Sequence, residues 1–254
     1  MCGLCGFTGE IVDRDAVLEN MTEVITHRGP DSKGVYTDDK ISMGFRRLSI
    51  IDLDNGSQPI YNEDKTLVLM FNGEIYNYKQ LRKELQEKGH VFATDTDSEV
   101  LVHGFEEWRE DLLNRLRGMF GFAIWNRTDE SLFIARDFFG IKPMHYTQVG
   151  GHFLYASEIK SILKFPGFEK KFNYRTLDNY LSFQYAVPPE TFFEGVYCLL
   201  PGHYLWYRDG KVETTRYWEA RFNPDESLTE EQAVDEIEKV FEESVNAHKI
   251  SDVE

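Results

Sequence analysis

Cys2 is the residue whose type and position suggest chemistry most directly, because it follows the initiator methionine. Removal of Met1 is favoured when the next side chain is small, and it would leave a thiol and a free α-amine on one residue. An α-amine has a pKa of roughly 7.7–8.0, so it can accept the thiol proton and later return it to a leaving amine. One residue would then supply both nucleophile and base, although a cysteine at position 2 is more often incidental.

Cys2 and Cys5 also have the C-x-x-C spacing of redox pairs and of half a metal site. Redox pairs of this kind stand at the beginning of a helix, whereas the segment after Cys5 favours a strand. A zinc site would need two more ligands, but Cys198 stands alone and no two histidines have an H-x₃₋₅-H spacing. We therefore expect no disulfide framework and no metal site, with Cys5 buried in a strand.

Asn72 and Gly73 follow the apolar run Leu67–Phe71, which is typical of a strand buried on both faces. Asn-Gly is a turn signal, so we expect the strand to end there. When a nucleophile attacks an amide, negative charge develops on the carbonyl oxygen, and each well-placed donor can contribute roughly 10²–10³ in rate. The Asn72 side chain and the Gly73 backbone N–H are candidate donors, and a plain turn is the competing interpretation.

Charged side chains that suit a free amino acid occur in three segments. Arg47 offers a guanidinium for bidentate contact with an α-carboxylate, and Arg46 beside it is an alternative. Asp97 and Glu74 offer carboxylates for an α-ammonium group. Asp97 is also a candidate helix cap, and Asp95 competes for its role.

Hydrophobic patterns predict the elements that must position these residues. Short strands separated by turn residues, among them a hairpin around residues 208–210, indicate a mixed α and β protein with mostly antiparallel pairing. A helix is also predicted after Thr96 or Asp97. The other helices are predicted at Ala16–Ile25, Tyr78–Lys88, Ser157–Leu163, Tyr174–Phe183 and Leu228–Lys249, and strands at Cys2–Thr8, Ile41–Ile51, Leu67–Phe71, Met119–Trp125, Ser131–Ala135, Met144–Thr147, Phe153–Ala156, Tyr204–Tyr207 and Val212–Tyr217.

Composition excludes several function classes. The 254 residues are 41% hydrophobic and 28% charged, which suits a globular core. The net charge of −16 would repel a phosphate backbone, so we expect no nucleic-acid partner. No apolar run approaches the roughly 18 residues of a membrane span, and no secretory signal precedes the first strand. We expect no membrane association and a cytoplasmic location.

The acidic C-terminal segment forms a separate element in this interpretation. Its predicted helix has an apolar stripe, yet little sequence follows that could cover it. We expect the partner of this stripe to be missing or to come from another chain, and docking on the helix's own domain is the alternative. The stripe consists of Ala233, Ile237, Val240, Phe241 and Val245.

The order of these motifs resembles the glutaminase domain of class II glutamine amidotransferases, which are N-terminal-nucleophile hydrolases, and more closely that of glutamine-hydrolysing asparagine synthetases. The resemblance covers essentially the whole chain, and Leu200 departs from it where a second proline would be common. It rests on Met-Cys-Gly at the start, His27–Asp31, Arg47–Asp52, Asn72–Asn77, Asp97–Glu99, Gly118–Ala123, Arg136–Asp137 with Gly140–Pro143, Ala156–Lys160 and Leu200–Leu205.

The resemblance implies an α+β fold, a four-layer α/β/β/α sandwich of two antiparallel sheets with an added C-terminal helix. It places a glutaminase domain at residues 1–222. Residues 223–254 would be a linker and the first helix of a truncated ATP-dependent synthetase domain. No cofactor is expected for this chain, and ATP and Mg²⁺ are expected only for the missing synthetase domain, its partner in cis. The resemblance leaves open whether the chain forms a homodimer.

The resemblance also assigns roles to site residues. Cys2 is the nucleophile, and Asn72 with Gly73 forms the oxyanion hole. Glutamine would be held by Arg47, by backbone groups of Leu48, Ser49, Ile50 and Ile51, and by Glu74 and Asp97. The family uses no histidine base, so His27 is expected to make local hydrogen bonds. Another class II amidotransferase, or a catalytically silent regulatory module with this fold, remains an alternative.

Overall fold

Two six-stranded antiparallel sheets form the centre of the protein in the computed structural model, which describes residues 1–48 and 56–249. The strands are β1 (Gly3–Thr8), β2 (Ser32–Thr37), β3 (Ile41–Arg47), β4 (Ile60–Tyr61), β5 (Leu67–Ile75), β6 (Gly118–Asn126), β7 (Ser131–Arg136), β8 (His145–Val149), β9 (His152–Ala156), β10 (Tyr197–Cys198), β11 (His203–Arg208) and β12 (Lys211–Arg216). The first sheet has the order β10-β8-β9-β1-β3-β2 and the second β12-β11-β7-β6-β5-β4.

The two sheets face each other across a shared apolar core. Leu4 and Phe45 from the first sheet belong to one buried cluster with Met70, Trp125 and Ile134 from the second. Alternate residues of each strand point into this layer, as period-2 geometry requires. The apolar run in β5 is buried on both faces because its other side chains pack against helices.

Helices cover the outer faces of both sheets. On the first sheet, α1 (Arg14–Glu23) and α4 (Ile159–Ile162) pack over Phe7 and Leu154. On the second, α2 (Tyr78–Glu87) and α3 (Glu99–Trp108) pack over Phe71 and its neighbours. The expected four-layer α/β/β/α arrangement is therefore confirmed. The described part of the chain contains no helix both long enough and apolar enough to cross a bilayer.

Two further helices lie outside these layers. They are α5 (Tyr174–Phe183) and α6 (Glu230–His248), and α6 begins with a capping box formed by Thr229 and Gln232. No side chain of α6 is buried, and Ile237, Val240 and Phe241 are 62–69% exposed. The apolar stripe is thus uncovered, so the structure does not dock it on its own domain. A ring contact of 4.1 Å joins His248 to Tyr76. The domain boundary at residue 222 stays a prediction.

Several local predictions were wrong. β5 continues through Asn72 and Gly73 to Ile75, because pairing with the whole length of β6 outweighs the local Asn-Gly turn preference. Neither Thr96 nor Asp97 caps α3, whose N-cap position is Ser98 without a side-chain hydrogen bond.

Short and edge elements account for the remaining differences. The sequence pattern does not predict β2, β4 and β10, since their sequences are short or polar. The helix expected at Ser157–Leu163 is only the four-residue α4. β3 ends at Arg47, and the rest of the extended segment predicted to Ile51 passes into residues 49–55, which lie outside the described residues.

Candidate active site

A small pocket opens where the start of β1, the end of β3 and the second half of β5 approach each other. Its volume is about 120 Å³, below the roughly 300–1,000 Å³ of pockets for drug-sized ligands. The structure brings together seven of the predicted site residues in its walls: Cys2, Arg47, Leu48, Asn72, Gly73, Glu74 and Asp97. Ser49, Ile50 and Ile51 lie outside the described residues.

The Cys2 thiol is held by the backbone of Leu48. The Leu48 N–H lies 3.3 Å from Cys2 Sγ, and the thiol donates to Leu48 O at 3.5 Å. Arg28 Nε donates to Cys2 O at 2.8 Å, which fixes the backbone. Burial raises the pKa of the Cys2 thiol despite the Leu48 hydrogen bond. The thiol is therefore protonated at neutral pH and needs a base to become a nucleophile.

The residue before Cys2 occupies part of the same pocket. The Met1 side chain lines it, and Met1 Sδ lies 3.1 Å from Lys142 Nζ. Burial lowers the pKa of the terminal amino group at Met1. An amine at the mouth of this pocket therefore loses its proton more readily than one in water, which favours a role as a base.

Asn72 presents an amide that the described protein does not satisfy. Its side chain is 2% exposed, and Nδ2 has no hydrogen-bond partner within the described residues. A buried donor without a partner is costly. In a pocket beside a thiol, such a donor is ready to bind an oxygen that acquires negative charge.

Gly73 is required by the neighbouring strand. A Cβ at this position would overlap Met119 O and lie against the Phe120 backbone of β6. The residue pairs with Phe120 in the ladder. The Asn-Gly pair therefore marks a close approach of two strands beside the pocket and not a turn.

Two carboxyl groups in the pocket are shifted toward their neutral forms. Burial, with the nearby charge of Glu74, raises the pKa of Asp97 to about 7. The Ile75 N–H donates to Asp97 Oδ2 at 2.8 Å and partly opposes this effect. Burial also raises the pKa of Glu74, whose Oε1 has no hydrogen-bond partner in the described chain. A cationic ligand group between these two acids would favour ionisation of both.

The structure decides between Arg47 and Arg46. Neighbouring residues in a strand face opposite sides, and Arg47 lines the pocket. Arg46 donates from Nε to Thr22 O at 3.3 Å and pairs with Glu23 on α1. The structure therefore places the guanidinium of Arg47, and not that of Arg46, in the pocket.

Asp95, His27 and Cys5 lie away from the pocket walls. Asp95 is 92% exposed at its side chain and pairs with Arg82 at 3.0 Å. His27 is half exposed and bonds Glu158 Oε1 at 2.9 Å, so its partner is distant in sequence and not the local one that was expected. Cys5 packs among α1 side chains on the opposite face of β1 from the pocket, and burial raises the pKa of its thiol to about 12. This excludes a Cys2–Cys5 redox pair.

Sequence reasoning missed several residues that shape the pocket. Lys142 contributes an amine whose pKa is lowered by burial and by the charge of Arg28. The loop that carries Lys142 is braced by Asp137, a role that the sequence does predict, because the Asp137 carboxylate accepts from Ile141 N and Lys142 N at 2.9 Å each. Gln58 joins the wall by exchanging two hydrogen bonds with the Phe71 backbone. The segment Gly140–Pro143 is one of the motifs that carry the resemblance, but nothing in it indicates a pocket residue.

The arrangement can bind a small zwitterion and attack its side chain. The pocket is lined by a guanidinium, two carboxyl groups, a thiol and the Asn72 amide donor. These groups match an α-carboxylate, an α-ammonium and a side-chain carbonyl respectively.

Comparison with known proteins agrees with this geometry. A family model described as a glutamine amidotransferase domain matches residues 1–218. The chain is 41% identical to asparagine synthetase [glutamine-hydrolyzing] 1 of Bacillus subtilis (strain 168), over 98% of this chain and 41% of the relative. It is 34% identical to amidase chyE of Penicillium rubens, over 97% of this chain and 36% of the relative. It spans about two fifths of the length of these relatives.

Solved structures show the same fold. The glutamine phosphoribosylpyrophosphate amidotransferase of B. subtilis, complexed with ADP and GMP, superposes with a TM-score of 0.62 at 19% identity, over 86% of this chain and 50% of that one. The allosteric regulatory enzyme of purine biosynthesis gives a TM-score of 0.65 at 20% identity, with the same coverage. With the family match over residues 1–218, the chain belongs to the class II glutamine amidotransferase domain family.

Proposed function

We propose that this chain hydrolyses glutamine to glutamate and ammonia through a thioester on Cys2. The observation that carries the proposal is the meeting of Cys2 Sγ, an Asn72 amide without a partner in the described chain, and three charged side chains in one small pocket. Arg47 would bind the α-carboxylate of glutamine, while Glu74 and Asp97 would bind its α-ammonium group. The backbone around Leu48 would complete the wall, together with the predicted contacts of Ser49, Ile50 and Ile51.

The first half of the reaction forms the thioester. After removal of Met1, the neutral α-amine of Cys2 takes the thiol proton. The thiolate then forms a carbon–sulfur bond with the side-chain carbonyl carbon, and the carbonyl electron pair moves to oxygen. Asn72 Nδ2 and the Gly73 N–H would stabilise this oxyanion. As it collapses, the carbon–nitrogen bond breaks, and the α-ammonium group returns its proton to the departing nitrogen, which leaves as ammonia.

The second half returns the enzyme to its starting state. The α-amine accepts a proton from water as the water oxygen attacks the thioester carbon. The same donors stabilise the second oxyanion. Its collapse breaks the carbon–sulfur bond, the thiolate regains its proton from the α-ammonium group, and glutamate dissociates.

We further infer that the ammonia serves ATP-dependent amidation of aspartate to asparagine in a synthetase domain in cis. Similarity to asparagine synthetases of more than twice this length supports the inference. The uncovered apolar stripe of α6 would then pack within that domain, which would also hold ATP and Mg²⁺. Similarity to amidase chyE is the observation that favours another amide acceptor as the second candidate.

Ammonia release from glutamine by the chain of residues 1–254 tests the proposal. The sample is first shown by intact mass to lack Met1. We expect ammonia and glutamate in equal amounts. Cys2→Ala should lower kcat by about 10⁴-fold or more, as loss of a nucleophile does in other hydrolases, with the melting temperature retained.

A matched control uses Cys5, the cysteine within β1. Cys5→Ala should retain kcat while losing some stability, because that thiol is buried in the core. Absence of turnover in the trimmed protein, or wild-type turnover in Cys2→Ala, would reject the proposal and favour a silent module of the same fold.

A further inference from the structure

We propose that Glu63, His90, His103 and Glu106 form a binding site for a divalent transition-metal ion of the zinc type. The site lies on the helix-covered side of the second sheet and shares no residue with the active-site pocket. One ligand atom from each residue can be chosen so that all four lie within 4.8 Å of one another. Two imidazole nitrogens and two carboxylate oxygens are a donor set that zinc accepts.

The separations suit a shared ion. His103 Nδ1 lies 3.2 Å from Glu63 Oε2, His90 Nδ1 lies 3.2 Å from Glu63 Oε1, and His90 Nδ1 lies 4.0 Å from Glu106 Oε2. Two ligands each about 2.1 Å from an ion are about 3.0–3.4 Å apart in octahedral or tetrahedral geometry. The two shorter separations fall within that range but involve different oxygens of Glu63, so its carboxylate would turn to present one oxygen to the ion. A small rotation of Glu106 would close the longer separation.

The buried histidine supplies the independent observation. The His103 side chain is 1% exposed, and its Nδ1 has no hydrogen-bond partner among the described residues, although Glu63 Oε2 is near. The two atoms are close without hydrogen-bond alignment. Ligands of one ion have this relation, because each lone pair points at the ion and not at the other ligand.

The second nitrogen of each ring faces a further carboxylate. His103 Nε2 lies 3.3 Å from Glu99 Oε1, within the same helix. His90 Nε2 lies 3.6 Å from Glu107 Oε2. For His103, donation of an N–H from Nε2 leaves Nδ1 with its lone pair toward the cluster. His90 Nδ1 instead makes a hydrogen bond to Glu63 Oε1 at 3.2 Å, so a bound ion would displace that proton to Nε2, which faces Glu107. Carboxylates commonly orient metal-binding histidines in this way.

Other groups hold the glutamates in place. Val91 N donates to Glu63 Oε1 at 2.8 Å, and Asn62 Nδ2 donates to Glu106 Oε2 at 3.2 Å. Neither donor is a cation, so they orient the carboxylates without neutralising them. A bound divalent ion would supply the positive charge that the four side chains face.

The proposal departs from the expectation of no metal site, which followed from the lack of an H-x₃₋₅-H pair and of two further ligands beside Cys2 and Cys5. The donors come from three separate segments instead. Glu63 precedes β5, His90 follows α2, and His103 with Glu106 occupies one face of α3 at an i, i+3 spacing. Only the folded chain brings these segments together.

A metal here would act on the loop that carries Asp97. Glu99, which orients His103, also accepts from Ala93 N and Thr94 N at 2.7 Å each. Fixing His103 would therefore fix Glu99 and, through it, the backbone of residues 93–94. We assign the ion a structural role in this loop, separate from the chemistry at Cys2.

Metal titration of the full chain tests the site. The protein carries Cys2→Ala to remove a competing thiol, and it is first freed of metal with a chelator. Cobalt(II) is then added while visible absorption is recorded, and zinc content is measured by equilibrium dialysis and atomic absorption. We expect one ion per chain, with d–d bands that zinc displaces.

Variants locate the ion. Glu63→Gln and His90→Gln each remove one ligand and should weaken binding at least as much as Glu99→Gln, which removes only an orienting carboxylate and should weaken it about 10–100-fold. His27→Gln is the matched control, because His27 also pairs with a glutamate but lies outside the cluster, and it should leave affinity unchanged. Circular dichroism confirms that each variant is folded.

Two results would overturn the proposal. One is less than about a tenth of an ion per chain, which would identify the cluster as a network of ion pairs between protonated histidines and glutamates. The other is equal affinity in the unsubstituted cluster and in folded Glu63→Gln and His90→Gln, which would place the ion elsewhere.

Discussion

Asp97 and Glu99 stand two residues apart at the start of α3, and both are almost completely buried, yet their pKa values move in opposite directions. Burial and the charge of Glu74 raise the pKa of Asp97 to about 7. Burial acts on Glu99 in the same sense, but hydrogen bonds, led by that from His103, outweigh it and lower the pKa of Glu99.

The difference separates groups that the protein satisfies from groups that it leaves for a ligand. Glu99 accepts from two backbone N–H groups and a threonine hydroxyl, so its charge is paired within the fold. Asp97, Glu74 and Asn72 line the pocket and have fewer partners in the described chain than their chemistry allows. Substitutions on the pocket side should therefore change kinetics, and substitutions on the Glu99 side should change stability.

The largest effect in this comparison is expected for Asn72. Asn72→Ala removes a donor to the oxyanion and should lower kcat about 10²–10³-fold, with little change in the free energy of unfolding. Stopped-time ammonia assays and urea denaturation measure the two quantities. Asn62→Ala, just before β5, is the control. Asn62 has its hydrogen bonds made, so its loss should cost about 1–2 kcal/mol of stability and spare kcat. A loss of stability without a loss of kcat in Asn72→Ala, together with a loss of kcat in Asn62→Ala, would contradict this division between kinetic and structural residues.

Arg47 should affect substrate binding next most strongly. Arg47→Lys keeps the charge but loses the bidentate geometry, so KM for glutamine should rise about 10–100-fold while kcat changes little. The neighbouring Arg46→Lys, which faces α1, should keep the KM of the unsubstituted protein. Equal KM in both variants would mean that Arg47 does not bind the substrate.

Glu99 tests the prediction for groups whose hydrogen bonds are made within the fold. Glu99→Gln removes a charge and leaves at least one of its buried N–H donors without an acceptor, so the free energy of unfolding should fall by about 1–3 kcal/mol. The measurement is made by urea denaturation in the presence of a chelator, which keeps any metal effect out of the comparison. Unchanged stability would show that these hydrogen bonds are replaceable.

The smallest effect is the pH dependence of binding. Since Asp97 has a pKa of about 7, it loses its charge as the pH falls below 7, and glutamine binding should weaken toward a limit of about tenfold per pH unit. Calorimetry on Cys2→Ala between pH 5.5 and 8.5 avoids the separate titration of the α-amine during turnover. Asp97→Asn should bind glutamine weakly at every pH. If the affinity of this variant still changes with pH, the pH dependence belongs to another group.

Local pattern in the sequence predicts the parts of this structure that depend on neighbouring residues. Alternating and continuous apolar runs locate β1, β5 and β6, and helical spacing locates α2 and α5. The four-layer arrangement follows only from the family resemblance, because local patterns do not specify which sheet faces which. The choice between Arg46 and Arg47 needs the strand register, since one residue reverses the face.

Long-range contacts explain where the sequence predictions fail. At Asn72–Gly73, pairing with β6 outweighs a strong local turn signal. Lys142 enters the pocket on a loop held by Asp137, and the His/Glu cluster joins three segments. In each case the partner lies outside the local pattern, where residue spacing carries no information.

Cys2, which directly precedes β1, and Cys5, within β1, point to opposite sides of the first sheet, one into the pocket and one into the layer beneath α1. An oxidant that reaches the pocket would therefore find no resolving thiol on the same strand with which to close a ring. Oxidation at the pocket would therefore pass through the sulfenic acid to a mixed disulfide with a small external thiol, to a sulfenamide with a backbone nitrogen, or to the higher oxygen acids. The higher oxygen acids are the products that simple thiol reductants do not reverse.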